Sequence, residues 1–149
     1  MSWKRVLVGV DGSACSAHAL RWAAEEARAR GADLIVVTAC TLPPVPAGAG
    51  YGSLPWVGQE AWRHEEEVRS RAEDMVRDTI RRTLGGRPGV TIAIEAVPGA
   101  PAPVLVESSK DADLLVVGSR GLGGFVGMLL GSVSHHVIQH ACCPVVVVR

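Results

Sequence analysis

Five short apolar runs, separated by stretches with helical patterns, constrain the fold of this chain of 149 residues more than any other feature. The runs are rich in valine, isoleucine and leucine without polar alternation, as is typical of strands covered on both faces. Strands joined by helices pair in parallel, because parallel neighbours need a long crossover connection. The sequence therefore predicts a single α/β domain over residues 1–149, an open five-stranded parallel sheet with helices on both faces. The predicted strands are residues 4–10, 33–39, 90–97, 113–119 and 144–148.

Helical patterns occupy most of the connections between these runs. In the first helix, Ser13 is placed to cap the start and Gly31 to end it. The longest helix covers residues 59–84, and its apolar side includes Trp62, which we expect to be buried. Before it, residues 40–58 are rich in proline and glycine and show no period, so they form either a lid or a disordered segment. The remaining helices are predicted over residues 101–110 and 132–141.

Composition and charge argue against several classes of protein. The formal net charge is zero, which disfavours a general nucleic-acid binder. No apolar run approaches the ~20 residues that span a bilayer, and the first residues show no signal-peptide pattern, so we expect a cytoplasmic protein with no membrane partner. The four cysteines show no CxxC spacing, and His136 and His140 lack a third ligand at a recognisable spacing. We therefore expect no metal site.

A glycine-rich stretch, residues 118–132, follows the fourth predicted strand and is called the glycine segment below. It holds six of the 17 glycines in the chain. The last acidic residue of the chain is Asp113, whereas the residues after it include Arg120, a mild indication of an anionic ligand. Neither a GxxxxGK[ST] phosphate loop nor a GxGxxG after the first strand is present, so two standard nucleotide motifs are excluded.

The spacing within the glycine segment suggests a phosphate site. Gly118 allows a close approach at the end of a strand, and Gly121 permits a turn with positive φ. Gly131 and Ser132 open a helix whose first amides lack intrahelical partners, and such helix starts bind phosphate. Two alternatives stay open: the segment is a mobile loop without a ligand, or Ser132 simply caps the helix.

Asp11 marks a second loop, directly after the first predicted strand. In an open parallel sheet, ligands bind at the carboxyl ends of the strands where the winding direction reverses. If the first and fourth strands are neighbours, Asp11 and the glycine segment face each other across one crevice. The simpler interpretation is that Asp11 and Gly12 form a turn, because Asp-Gly is a common turn signal.

Three features together resemble a known family. The residues Gly118, Gly121 and Gly131-Ser132 fit the spacing G-2x-G-9x-G-[S/T], and the chain has VLVGVDGS near its start and PVVVVR at its end. Over residues 4–149 the chain resembles the ATP-binding members of the universal stress protein family. The resemblance implies the sheet order 3-2-1-4-5 and ATP as the ligand, with Mg²⁺ or Mn²⁺ as a candidate accompanying ion.

The same resemblance implies a set of ATP-binding residues. Asp11 and Gly118 would lie near the ribose, and the backbone of Ala39 would contact adenine. A triphosphate cradle would include the helix start, with Ser134 as a weaker candidate. The complete set is Asp11, Ala39, Gly118, Gly121, Gly131, Ser132, Val133 and Ser134.

Three functional classes fit these features. The first is an ATP-binding regulatory protein of the stress response, the second a slow ATPase or other adenine-nucleotide enzyme, and the third a ligand-free dimeric interaction module. The glycine segment contains no carboxylate to position water or a metal ion, so we expect little or no hydrolysis and assign no catalytic residue. The intact glycine spacing favours the first class over the third.

The last predicted strand, residues 144–148, is also a candidate interface. It should lie at the edge of the sheet, and its four consecutive valines lack the lysine or internal proline that usually protects an edge. The resemblance implies a homodimer in which two copies of this strand pair antiparallel.

Overall fold

The computed structural model has the predicted parallel sheet. It describes residues 2–42, 55–86, 88–124 and 126–149, and of residues 55–60 the backbone alone. The strands are β1 (Arg5–Gly9), β2 (Asp33–Cys40), β3 (Ile92–Pro98), β4 (Leu114–Gly118) and β5 (Val145–Val148). They form one sheet in the order β3-β2-β1-β4-β5, and every neighbouring pair is parallel. The predicted strand order is confirmed.

The helices cover both faces of this sheet, as predicted. They are α1 (Ala14–Arg30), α2 (Pro55–Leu84), α3 (Pro101–Ser108) and α4 (Ser132–His140), and a short 3₁₀ turn (Ser109–Asp111) follows α3. The ends of α1 are those expected from the sequence. The Ser13 side chain accepts a hydrogen bond from the Ser16 amide at 3.2 Å, and Gly31 ends the helix with φ of 65°.

Helix α2 differs from its prediction at its start. It begins at Pro55 rather than at residue 59, because proline suits the first helical position, where its missing amide hydrogen leaves no bond unmade. Trp62 is 73% exposed, so its predicted burial is wrong. The neighbouring residues 61–64 are all exposed, which shows that this part of α2 makes few contacts with the sheet. Of the predicted loop 40–58, residues 43–54 lie outside the described residues.

Two apolar layers hold the helices against the sheet. On one face, alternate residues such as Val6 and Val8 pack against α1 and α2. On the other face, residues such as Leu7 and Leu115 pack against α3 and α4. Full burial of one such side chain contributes about 1.5–3 kcal/mol to folding. Both sides of each central strand are therefore buried, and this explains why these strands are apolar without polar alternation.

Strand β1 lies at the centre of the sheet, with β2 on one side and β4 on the other. The winding direction reverses there, so the connections that leave β1 and β4 start on opposite faces and open a crevice at the carboxyl ends of these strands. No helix in the described ranges combines the length and apolar character needed to cross a membrane.

Candidate functional site

A cavity of about 550 Å³ lies at the carboxyl ends of β1, β2 and β4. The turn after β1 and the glycine segment line it from two sides, and Met75 of α2 and Leu105 of α3 also border it. The structure brings together all of the residues predicted from the sequence. They are Asp11, Ala39, Gly118, Gly121, Gly131, Ser132, Val133 and Ser134.

Asp11 connects the two marked loops. Its Oδ1 atom accepts a hydrogen bond from the Ser13 amide at 2.9 Å, and its Oδ2 atom accepts one from the Leu122 amide at 3.2 Å. Burial alone would raise the pKa of the Asp11 carboxyl, but hydrogen bonds from Ser13, Ser16 and Leu122 outweigh it and hold this pKa below its ordinary value. Asp11 is therefore part of a turn, as the simpler interpretation proposed, and also an ionised acceptor beside the cavity.

Gly121 is needed for a different reason from the one predicted. It does not have positive φ. A Cβ atom at this position would lie 2.5 Å from Oδ2 of Asp11, much closer than real Cβ contacts. Glycine here allows the backbone of the glycine segment to approach the Asp11 carboxylate, so the constraint is a contact across the crevice and not a turn conformation.

Gly118 permits the close approach that was predicted, but its partner is a helix. A Cβ atom on Gly118 would lie 2.7 Å from the carbonyl carbon of Cys15, in the first turn of α1. The carbonyl oxygen of Gly118 accepts a hydrogen bond from the Ser134 hydroxyl at 2.6 Å. Ser134 is buried, so this hydroxyl serves to attach α4 to β4.

The start of α4 presents free backbone donors to the cavity region. Gly131 is the residue before the first helical turn, and no side chain caps this helix. The first amide with an acceptor inside the helix is that of His135, which bonds to the Gly131 carbonyl at 3.0 Å. Among the described residues, none accepts a hydrogen bond from the amides of Ser132, Val133 or Ser134. The alternative in which Ser132 caps the helix is wrong, because Gly131 occupies that position.

Three polar residues of the lining were not assigned to the site from the sequence: Ser16, Thr38 and Arg120. Thr38 of β2 is 4% exposed and lines the cavity. It is the one polar residue in the run 34–39, and this interruption of a buried strand was a usable signal. Arg120 also lines the cavity, although the sequence had marked it only as part of an acid-free region.

Charge in the described lining is limited to Asp11 and Arg120. These two residues follow β1 and β4, so one negative and one positive side chain stand at the crevice. Within the described residues, no group of three or more His, Cys, Asp or Glu side chains could hold a metal ion. The rings of His136 and His140 lie 4.5 Å apart on α4, away from the lining.

Comparison with known proteins gives a family match over almost the whole chain. The model of the Universal stress protein family matches residues 2–149. A universal stress protein of Mycobacterium tuberculosis is 38% identical over 145 residues, which are 97% of this chain and 47% of that protein. One of Mycolicibacterium smegmatis is 39% identical over 144 residues, which are 97% of this chain and 45% of that protein. This chain thus spans about half the length of the curated relatives it matches.

Solved structures of the same shape include nucleotide complexes. A universal stress protein in complex with cAMP is 32% identical, with a TM-score of 0.60 and coverage of 100% of this chain and 98% of that one. A universal stress protein from Archaeoglobus fulgidus in complex with dAMP is 25% identical, with a TM-score of 0.58 and full coverage of both chains at 100%. UspA from Lactobacillus plantarum, 22% identical, shares the fold with a TM-score of 0.75 over 100% of this chain and 99% of that one.

The parallel sheet, its reversal at β1 and the cavity at that reversal define a doubly wound α/β protein with a cavity at the switch point, where such sheets bind ligands. With the family match over residues 2–149, the assignment is specific. The chain belongs to the universal stress protein family.

Proposed function

We propose that this chain is an ATP-binding regulatory protein of the stress response that hydrolyses ATP little or not at all. The observation that carries the proposal is the start of α4. The amides of Ser132, Val133 and Ser134 have no acceptor among the described residues, and all three residues line the cavity. Such a helix start binds phosphate through its free amides and through the positive end of the helix dipole.

The proposed orientation of ATP follows the lining. The triphosphate would lie at the start of α4, between Gly121 and Ser132. The ribose would lie beside Asp11, whose carboxylate oxygens have lone pairs left to accept hydroxyl hydrogen bonds. Adenine would lie at the end of β2, where Thr38 and Ala39 border the cavity.

The size of the cavity and the relatives support an adenine nucleotide. A volume of about 550 Å³ falls within the range of about 300–1,000 Å³ typical of small-molecule sites. The similar proteins crystallised with cAMP and dAMP hold ligands that share an adenine base with ATP. The free amides of α4 support a ligand that carries phosphate.

We infer weak hydrolysis from the small number of acidic groups in the described lining. An efficient ATPase uses one group to position the attacking water and acidic residues to hold Mg²⁺. In the described lining the one carboxylate is Asp11, and each of its oxygens already accepts an amide hydrogen bond. If Mg²⁺ or Mn²⁺ accompanies ATP, phosphate oxygens and water would supply most of its ligands, as is usual for Mg²⁺. A turnover near the typical enzyme value of about 10 per second would contradict this part of the proposal.

A homodimer through β5 is proposed on the geometry of the sheet edge. In the described sheet, β5 pairs with β4 alone. The carbonyls of Pro144 and Val148 accept hydrogen bonds from β4, so by alternation Val146 also points its backbone groups toward β4. The backbone groups of Val147 then point outward, where a second copy of β5 can pair with them.

Calorimetric titration of ATP tests the proposed site. In the structure, a Cβ atom on Gly131 would be in van der Waals contact with the backbone of Ser119, Arg120 and Gly121 at 3.4 to 3.7 Å, so the larger side chain of Gly131→Val would crowd the glycine segment and the proposed phosphate position. We expect this variant to lose ATP binding. Ser132→Ala removes one exposed hydroxyl but keeps the amides, so it should weaken binding by roughly 1 to 2 kcal/mol.

The outcomes separate the functional classes. Tight ATP binding by wild type, lost in Gly131→Val while that variant still melts cooperatively, supports the proposal. Wild type that binds no adenine nucleotide would favour the interaction module instead. Equal ATP affinity in wild type and in Gly131→Val would mean that the nucleotide binds elsewhere.

A further inference from the structure

Arg120 has no role in the site predicted from the sequence, yet its position gives it one. It is the one cationic side chain in the described lining of the cavity. It forms no ion pair with the described residues, and the residue is exposed. A charged side chain beside a cavity, without a protein partner, is available to a charged ligand.

The backbone of Arg120 adjoins the start of α4. Its Cα atom lies 3.4 Å from the position of a Cβ atom on Gly131, the residue that precedes the first helical turn. An arginine side chain that begins there is long enough to reach an anion held by the amides of Ser132 and Val133. The free amides and the guanidinium can therefore act on the same ligand.

The absence of a side chain at Gly124 leaves room for the arginine. A Cβ atom on Gly124 would lie 3.3 Å from the Cβ atom and 3.6 Å from the Cδ atom of Arg120. The aliphatic part of Arg120 thus runs along the bare backbone of Gly124. The amide of Gly124 bonds to the carbonyl of Gly121 at 3.3 Å, so this part of the glycine segment forms a turn that supports the side chain.

We propose that Arg120 is the residue that makes the site prefer nucleoside triphosphates over monophosphates, by binding the phosphoryl groups beyond the first. This inference rests on the proposed function, because it assumes that the phosphates lie at the start of α4. Base and ribose contacts are the same for ATP and AMP, and the amides of α4 can hold one phosphate group. ATP carries two additional phosphoryl groups, and a guanidinium binds such oxygens bidentately.

The test is a comparison of ATP and AMP affinities in wild type and in Arg120→Gln. A hydrogen bond to a charged group corresponds to a change of about 10- to 100-fold in affinity, so we expect ATP binding to weaken by that factor. AMP binding should change by less than about threefold, because AMP lacks the groups that Arg120 contacts. Arg120→Lys keeps the charge without the bidentate geometry and should fall between wild type and Arg120→Gln for ATP.

A matched control removes the same charge far from the cavity. Arg28 is exposed near the end of α1, which lies at the opposite end of the sheet. Arg28→Gln should leave the ATP-to-AMP affinity ratio unchanged. Added salt should weaken ATP binding more in wild type than in Arg120→Gln, because screening acts on the charge that this variant lacks.

Each outcome decides one point. If Arg120→Gln keeps the ATP-to-AMP ratio of wild type, the inference is overturned while the proposed function stands. A loss of ATP and AMP affinity by the same factor would also overturn it, because Arg120 would then shape the site as a whole. If wild type binds neither nucleotide, both the inference and the proposed function are wrong.

Discussion

Gly121→Ala should weaken ATP binding by displacing Asp11, although the backbone at Gly121 suits alanine. No positive φ is present there, so the substitution brings no backbone strain. The new Cβ atom would lie 2.5 Å from Oδ2 of Asp11, and the carboxylate must move. It would then lose its hydrogen bond from the Leu122 amide, now 3.2 Å long, and its position beside the proposed ribose site.

The magnitude follows from these contacts. A hydrogen bond to a charged group contributes about 1.5–3 kcal/mol, and solvent screening at the half-exposed Asp11 reduces this to about 1 kcal/mol of folding stability. Replacing glycine by alanine also stabilises the fold by about 0.4–1 kcal/mol, because it restricts the unfolded chain. The free energy of unfolding should therefore change little. ATP affinity should fall about tenfold, which is equivalent to about 1.4 kcal/mol for a displaced ribose acceptor.

Gly123→Ala is the matched control in the same segment. A Cβ atom on Gly123 would meet none of the described residues within 4 Å, and its φ is not positive. We expect this variant to bind ATP within about twofold of wild type and to gain about 0.4–1 kcal/mol of stability. Titration calorimetry measures the affinities, and urea denaturation measures the stabilities. Equal ATP affinity in the two alanine variants would refute the role of Asp11 in the site.

Two further predictions concern the assembly and the stability of the fold. Val147→Pro removes a backbone donor on the outer side of β5, so this variant should be a monomer in sedimentation velocity. Val146→Pro should instead destabilise the fold, because it breaks a hydrogen bond between β5 and β4. A dimeric Val147→Pro variant would contradict the proposed interface. The carboxylate of Asp113 accepts hydrogen bonds from the amides of Arg5 and Lys4 at 2.9 and 2.7 Å, and these bonds lower the pKa of Asp113 below 3.8. The ionised Asp113 carboxylate therefore stabilises the fold fully above pH 3.8, and this stabilisation is lost as the pH falls through the lower pKa of the folded state. In urea denaturation, the difference in stability between wild type and Asp113→Asn should therefore shrink in acid. A difference that stays constant down to acid pH would show that this carboxylate does not stabilise the fold.

The strands of the sheet could be predicted from the sequence because the signals for strands are local. Each predicted strand is a mainly apolar run, and Ser13 and Gly31 mark the ends of α1 through contacts with residues a few positions away. The start of α2 was mispredicted although Pro55 was a local signal for it, and the exposure of Trp62 was mispredicted for a different reason. An amphipathic pattern shows which side of a helix is apolar, but not how far the sheet beneath it extends.

Contacts across the crevice could not be predicted from local patterns. The Asp11 carboxylate and the Leu122 amide are 111 residues apart, and their hydrogen bond exists because the sheet places β1 beside β4. The same approach explains why Gly121 must be glycine, which sequence reasoning attributed to a turn. The reversal of winding in an open parallel sheet had indicated that Asp11 faces the glycine segment if β1 and β4 are neighbours, and the resemblance to a known family implied that order.

An NMR titration of the amide resonances with ATP tests whether the phosphates bind at the start of α4, because the proposed contacts are made by backbone amides. We expect the amides of Ser132 and Val133 to shift most and to saturate together with those of Ala39 and Leu122. Residues such as Arg5, at the opposite end of the sheet, should not move. Saturable shifts that leave Ser132 and Val133 unchanged would contradict the proposed phosphate position, because the phosphates would then bind away from the start of α4.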